Sequence, residues 1–239
     1  QVRQALVLSA PPPSLVLDGA GRAGDSCVQG GGEISSVLLS LPRPFQVIQH
    51  VLRRATPQSL ETQVQEFSSK IDPEQPGAVV LCISGEILIT PAGPALRLAG
   101  AANAAPTNVL LGALIEALSA APTLVVLLDV VSVRLDESVK SLPLPQTHIL
   151  PPLLHPNMAV IAGISKEKLQ VTGARCSPFS VAVAGEVLHG VTLMQLHQRV
   201  GQTLQRRPAY TPNAAPADLE ERKQDPPMLA TNMVHEWLF

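Results

Sequence analysis

The stretch LDGAGRAGD, ending at Asp25, holds Gly19-x-Gly21-x-x-Gly24. That is the spacing of a loop whose backbone N–H groups cradle a dinucleotide pyrophosphate. A second set of chemically capable residues lies further along. Glu86 follows the apolar run AVVLCISG, and Asp129, Val131 and Ser132 fall at the end of TLVVLLDVVS. A carboxylate can accept a proton, and a hydroxyl attacks once a base has taken its proton. Glu86 with Ser84 or Ser132 is therefore one acid–base pairing to weigh, although a Ser–Glu pair without a histidine is an unusual catalyst. Cys27, Cys82 and Cys176 are far apart and show no zinc-ligand spacing. They read as small buried hydrophobes or, for Cys176, a loop residue before a helix. His189 and His197 fall on different helices and suggest no metal pair. Neither a cofactor nor a metal is expected.

The elements that must position these residues alternate between strand and helix. Residues 4–10 (QALVLSA), 78–85 (AVVLCISG), 123–131 (TLVVLLDVV) and 158–165 (MAVIAGIS) are apolar runs of strand length, and 45–52 alternates apolar with polar residues. After the first strand, the Pro/Gly-rich residues 11–32 read as loop, and 33–41 as a short helix. The clearest helix starts at Thr56, a good N-cap, with Pro57 at the first helical position. Its apolar face is Leu60, Val64, Phe67 and Ile71. EILITPAGPALRLAG predicts a hairpin around Pro-Ala-Gly-Pro, and 108–120 a helix. SPFSVAVAGEVLHG and TLMQLHQRVGQTLQRR predict two more, the second with Leu193, Leu196, Val200 and Leu204 on one face. Residues 208–239, Pro/Ala-rich and then charged, read as an extension that is mostly loop.

Continuous apolar strands alternating with helices imply an α/β protein. The expected architecture is a three-layer sandwich, a mostly parallel sheet with helices on both faces, in a single domain over residues 1–239. Ligands of such sheets bind beyond the carboxyl ends of the strands. Glu86 and Val131 are expected to leave the sheet at two such ends, facing each other across a crevice.

The order of these segments resembles the caspase and metacaspase family of cysteine peptidases. PGAVVLCISGE resembles the family's strand ending in SGHG, whose His is the general base. LVVLLDVVSVRLDESVKSLPLP resembles the strand ending in DSC, whose Cys is the nucleophile. PFQVIQHVLRRATPQSLETQVQEFSSKI, MAVIAGISKEKLQV and SPFSVAVAGEVLHG resemble the flanking segments, so the likeness covers most of the chain. It implies a caspase-like fold in which Glu86 stands for the His and Val131 for the Cys. Loss of a nucleophile from such a unit costs about 10⁶ in rate, so the resemblance implies an inactive homologue, a pseudoenzyme. Asp129 matches an acid that lines the metacaspase pocket for basic side chains. Leu17, Gly19 and Asp25 resemble the L-x-G-C-x-x-D loop beside that pocket, with Ala20 in place of Cys and a longer gap. Asp25, Ser84, Asp129 and Ser132 would then line a vestigial pocket. No match to the metacaspase calcium-binding cluster is present.

A nucleotide-binding protein built on Gly19–Gly24 is the competing reading. It needs a strand directly before the first glycine and a helix opened by the third. SLVL is short and follows three prolines, and Gly30-Gly31-Gly32 predicts that no helix survives after Gly24. The acidic residue due about 20 positions on is replaced by Arg53-Arg54. An active hydrolase using Glu86 and Ser132 is the third reading.

Composition narrows the partners. The 239 residues are 46% hydrophobic and 15% charged, which suits a large core. A net charge of −2 and 3% aromatics give neither a basic field nor a stacking platform for nucleic acid. No apolar run reaches the roughly 20 residues of a membrane span. Protein partners within a larger assembly are expected, with apolar loops such as HILPPLLHP (148–156) as candidate contact surface. Sparse cysteines favour a reducing, intracellular setting, with the cytoplasm first. The Gln at position 1 leaves an organellar, mitochondrial destination open.

Overall fold

The computed structural model describes residues 2–13, 25–74, 77–100, 105–139, 146–164, 177–187, 191–206 and 227–231. It is a three-layer α/β sandwich. The strands are β1 (Val2–Ala10), β2 (Gln46–Val51), β3 (Gly77–Thr90), β4 (Gly93–Leu98), β5 (Thr107–Leu110), β6 (Leu124–Leu135), β7 (Met158–Ile164) and β8 (Met228–Thr231). The helices are α1 (Asp25–Ser40), α2 (Pro57–Ser68), α3 (Leu111–Glu116), α4 (Pro178–Glu186) and α5 (Leu193–Arg206), with a 3₁₀ turn at Gln146–Ile149. All eight strands form one sheet in the order β2-β1-β3-β6-β7-β8, and the β4–β5 pair branches from β3. The pairs from β2 to β7 along this path are parallel, and β8 runs antiparallel to β7.

Side-chain alternation divides the core in two. On one face Leu6, Leu8, Leu81, Ile83, Val126 and Leu128 pack against Leu60, Val64 and Phe67 of α2 and Leu114 and Ile115 of α3. On the other, Val7, Val80, Cys82 and Leu127 pack against Ile34 and Leu38 of α1, Phe179 and Val183 of α4, and Leu196 and Val200 of α5. Helix α2 begins as expected. The Thr56 hydroxyl accepts the Ser59 N–H, and the Ser59 hydroxyl accepts the Thr56 N–H, a reciprocal capping box. Thr192 and Gln195 make the same pair before α5, at 3.1 and 3.0 Å. The hairpin also forms: Ile87–Thr90 pairs antiparallel with Gly93–Leu96 around Pro91 and Ala92. Gly93, at φ +117°, takes a conformation that a side chain would strain.

Three expectations are corrected. Residues 25–32 are helical, so α1 starts at Asp25 and runs through Gly30-Gly31-Gly32. These glycines weaken the helix but let it lie close to its neighbours. A Cβ on Gly30 would meet Ser180 Oγ at 2.6 Å and Cβ at 2.8 Å, and one on Gly31 would run into Ser9 Oγ. Tertiary packing thus outweighs the roughly 1 kcal/mol propensity cost of each glycine. Gly30→Ala is expected to destabilise by about 1–3 kcal/mol, because Ser180 Cβ cannot rotate aside. Gly32→Ala, with open space around it, is expected to stabilise by about 0.5–1 kcal/mol; denaturant midpoints of the two variants check the contrast.

The second correction concerns 108–120. Thr107–Leu110 is a strand paired with β4, and only Leu111–Glu116 is α-helical. An edge of β4 awaiting a partner recruits Thr107 and Val109, whose β-branched side chains suit it. The third is in the extension: Met228–Thr231 is not loop but β8, paired with Ala159–Ala162. His197 Nε2 of α5 lies 2.7 Å from the Pro227 carbonyl and fixes its entry. The remaining residues of 208–239 lie outside the described set.

Among the described residues, no helix is long and apolar enough to cross a membrane.

Candidate functional site

Strands β3 and β6 are neighbours, as the expected crevice required, but they do not end where it needed them to. Their pairing continues from Gly85↔Val130 to Glu86↔Ser132 and on to Ile89↔Leu135. The runs EILIT and SVRL extend the strands, and β4 takes the place beside β3 that β1 leaves at Ala10. A Cβ on Gly85 would meet Leu96 Cδ1 at 2.8 Å and the Ala10 carbonyl at 3.0 Å, so the handover is tight. Glu86 and Val131 therefore lie inside the sheet, 2% and 3% exposed. The register steps from Val130 to Ser132 between Gly85 and Glu86, a β-bulge at Val131.

The bulge has a geometric effect. Ser84 and Glu86, two apart on β3, share a face, so their partners Asp129 and Ser132 share it too, although they are three apart on β6. Two polar clusters result, one behind the other, on the face that carries α1 and α4.

The first is built on Asp129, which is 2% exposed. Its Oδ2 accepts three hydroxyls: Ser84 at 3.0 Å, Ser177 at 2.6 Å and Ser180 at 2.7 Å. Ser177 is also the N-cap of α4 and accepts the Ser180 N–H at 3.0 Å. Asp129 thus ties the start of α4 to the middle of the sheet, and the positive end of the helix dipole faces it. Among the described residues Oδ1 has no hydrogen-bond partner, nor does Ser9 Oγ, which lies one strand beyond Ser84 in the same row. A cavity of about 10 Å³, lined by Ser84, Asp129, Ser180, Cys82 and Gly31 among others, has room for one water. Burial raises the Asp129 carboxyl above its ordinary range, against the lowering by its three hydroxyl donors. Burial, and then the Asp129 carboxylate, also push the Cys82 thiol well up. Cys82 is a core residue with no thiolate to offer.

The second cluster is built on Glu86. Its Oε1 accepts from Arg97 Nη1 at 2.7 Å and forms an ion pair with Arg134 Nε at 2.9 Å, and its Oε2 accepts the Ser132 hydroxyl at 2.9 Å. Arg97 stands on β4 and Arg134 on β6, so three strands converge on one carboxylate.

The residues picked out in the sequence are thus partly brought together. Ser84 meets Asp129 and Ser132 meets Glu86. Asp25 opens α1, and its side chain lies outside the described residues, as do Gly19–Gly24, Cys176 and His189. The helix that the glycine fingerprint needs after Gly24 is present, which corrects that objection. The strand it needs is not supplied by β1, which closes at Ala10, well before Gly19. Arg97, Arg134, Ser177 and Ser180 were missed. Their signal was the hairpin register, which, carried one step beyond Ile87↔Leu96, sets Arg97 opposite Glu86, and Ser177-Pro178 as a helix start.

At the other end of the sheet, a cleft of about 330 Å³ opens between α3 and the segment before β7, lined by Ile115, Glu116, Ser119, Leu154 and His155. The loop 148–156 divides between two roles. Ile149 is buried and Leu150 and Leu153 pack on the core, while Leu154 is 51% exposed.

No protein-family model and no curated protein matches the chain.

Proposed function

We propose that this chain is a caspase/metacaspase-like pseudoenzyme, a non-catalytic protein-interaction or structural subunit of a larger assembly. The observation that carries this reading is the state of the two positions aligned with the family's dyad. Glu86 is engaged at both oxygens by two guanidiniums and a hydroxyl, and Val131 is a buried aliphatic residue in a bulge. Neither arrangement can activate a thiol. A parallel sheet with an antiparallel hairpin inserted after the Glu86 strand also agrees with the order of segments on which the resemblance rests. Asp129, spent on three serines inside the fold, supports a structural role for that acid over substrate binding. The exposed Leu154 and its cleft offer a surface for a protein partner.

One observation favours a second reading. The Ser132 hydroxyl sits 2.9 Å from a carboxylate oxygen, a nucleophile–base distance. Proton transfer to Glu86 would, however, leave two guanidiniums facing a neutral acid, and Ser132 is itself buried. Incubation with peptides carrying Arg, Lys or Asp before the scissile bond, with thiol-directed and serine-directed probes alongside, separates the two. The expected result is no cleavage and no labelling. Cleavage that disappears in Ser132→Ala or Glu86→Gln would overturn the pseudoenzyme reading in favour of a serine hydrolase.

A further inference from the structure

The Glu86 cluster is unbalanced in charge. One carboxylate faces two guanidiniums, and both pair with the same oxygen. Among the described residues neither arginine makes any other hydrogen bond or ion pair. A guanidinium has five N–H donors in a planar fork. Arg97 gives one N–H to Glu86 and Arg134 makes an ion-pair contact through Nε, so the remaining donors of both forks have no protein acceptor among the described residues. The cluster is layered by depth: Glu86 lies beneath, while the Arg97 and Arg134 side chains are 23% and 52% exposed. Two like charges held side by side repel each other, and the single carboxylate offsets only one of them. The pairing with Glu86 already restrains both side chains, which lowers the ordering cost when a ligand arrives. The cluster also sits beside a bulge, and Arg134 stands one residue from the end of β6.

We infer that the Arg97–Arg134 pair is a binding site for one oxyanion group, a carboxylate or a phosphoryl group. Glu86 and Ser132 are its positioning residues, setting the two forks from below. The anion accepts the outer N–H groups of both guanidiniums and brings the cluster to neutrality. This inference does not rest on the pseudoenzyme proposal: peptide cleavage would leave the anion site standing, and absence of anion binding would leave the pseudoenzyme reading standing, so the two fail separately.

Calorimetric titration of the full chain with inorganic phosphate in one arm and N-acetyl-aspartate amide in the other tests it. Saturable binding of one equivalent is expected in at least one arm, weakening as sodium chloride is raised. The arm that binds identifies the group. Arg97→Gln and Arg134→Gln are each expected to weaken binding by about tenfold or more. Arg134 lies at the exposed end of β6, so its variant stays informative if the Arg97 variant fails to fold. Glu86→Gln, in a folded preparation, is expected to tighten binding by several-fold, because it removes the competing negative charge; a residue with only a structural role would move affinity the other way or not at all. The inference is overturned if neither anion binds the wild-type chain, or if binding is unchanged in Arg134→Gln.

Discussion

Asp129→Ala is expected to destabilise the fold by about 3–4 kcal/mol, whereas Asp129→Asn costs much less. Alanine leaves the Ser84, Ser177 and Ser180 hydroxyls without their shared acceptor in a site that water does not reach freely, and each stranded donor costs about 1–3 kcal/mol before rearrangement. It also releases the N-cap of α4 from the sheet. Asparagine keeps an oxygen for the three hydroxyls. Urea denaturation of the two variants measures the difference directly. The same residue predicts a pH dependence. Burial raises the folded-state carboxyl above its ordinary value of 3.8. The folded chain therefore holds this proton more tightly than the unfolded chain. The stability this contributes is complete below the ordinary carboxylate range and is lost as pH rises through the raised folded value. Relative to Asp129→Asn, the wild-type protein is thus expected to lose stability as pH climbs from about 4 upward, levelling once the folded carboxyl has ionised. A difference between the two proteins that is flat with pH, or that grows in the opposite sense, would rule out burial as the dominant influence on Asp129.

Phe179→Ala is expected to cost about 3–5 kcal/mol, the range for removing a fully buried aromatic ring. Phe179 is 0% exposed and lies in the second core. Its ring presses on β7 at Gly163, where any Cβ would collide with it. Gly163 is paired with Asp129 across β6 and β7. The ring therefore fills the hollow that a glycine leaves in the row Ser9, Ser84, Asp129, Gly163. Thermal unfolding with and without the substitution checks the magnitude. A loss below 1 kcal/mol would mean that α4 collapses into the hollow. In that case the Asp129 hydrogen bonds, which depend on the position of α4, should be altered as well.

Much of this architecture was legible in the chain. Residues 78–85 and 123–131 are apolar on both faces because helices cover both faces, and that pattern reads directly as buried parallel strand. Thr56-Pro57 and Ser177-Pro178 marked helix starts by local chemistry alone. What could not be read depended on partners distant in sequence. Gly30 and Gly31 look like helix breakers until Ser180 and Ser9 are placed against them. Thr107–Leu110 becomes a strand because β4 lies alongside, and Met228–Thr231 because β7 does. For the site, the residues were visible but their relations were not. The sequence marked Glu86, Asp129 and Ser132, yet the bulge at Val131 is a matter of register between two strands. Without it, Asp129 and Ser132 would face opposite ways. Arg97 and Arg134 look like ordinary surface charges until the hairpin folds back.

The sheet also has an order in time. Strand β8 closes the outer edge of β7, but its residues follow Ile164 by more than sixty positions. At ordinary rates of synthesis, β7 waits roughly ten seconds for that partner. Until then its row of backbone donors and acceptors is an open template for another strand. The parallel core is itself built only from pairings distant along the chain, which form slowly. The four residues Met228–Thr231 therefore count for more than their buried area. They decide when β7 stops offering its edge to other chains, and this side of the nascent sheet is most exposed to misassembly in the interval before they arrive.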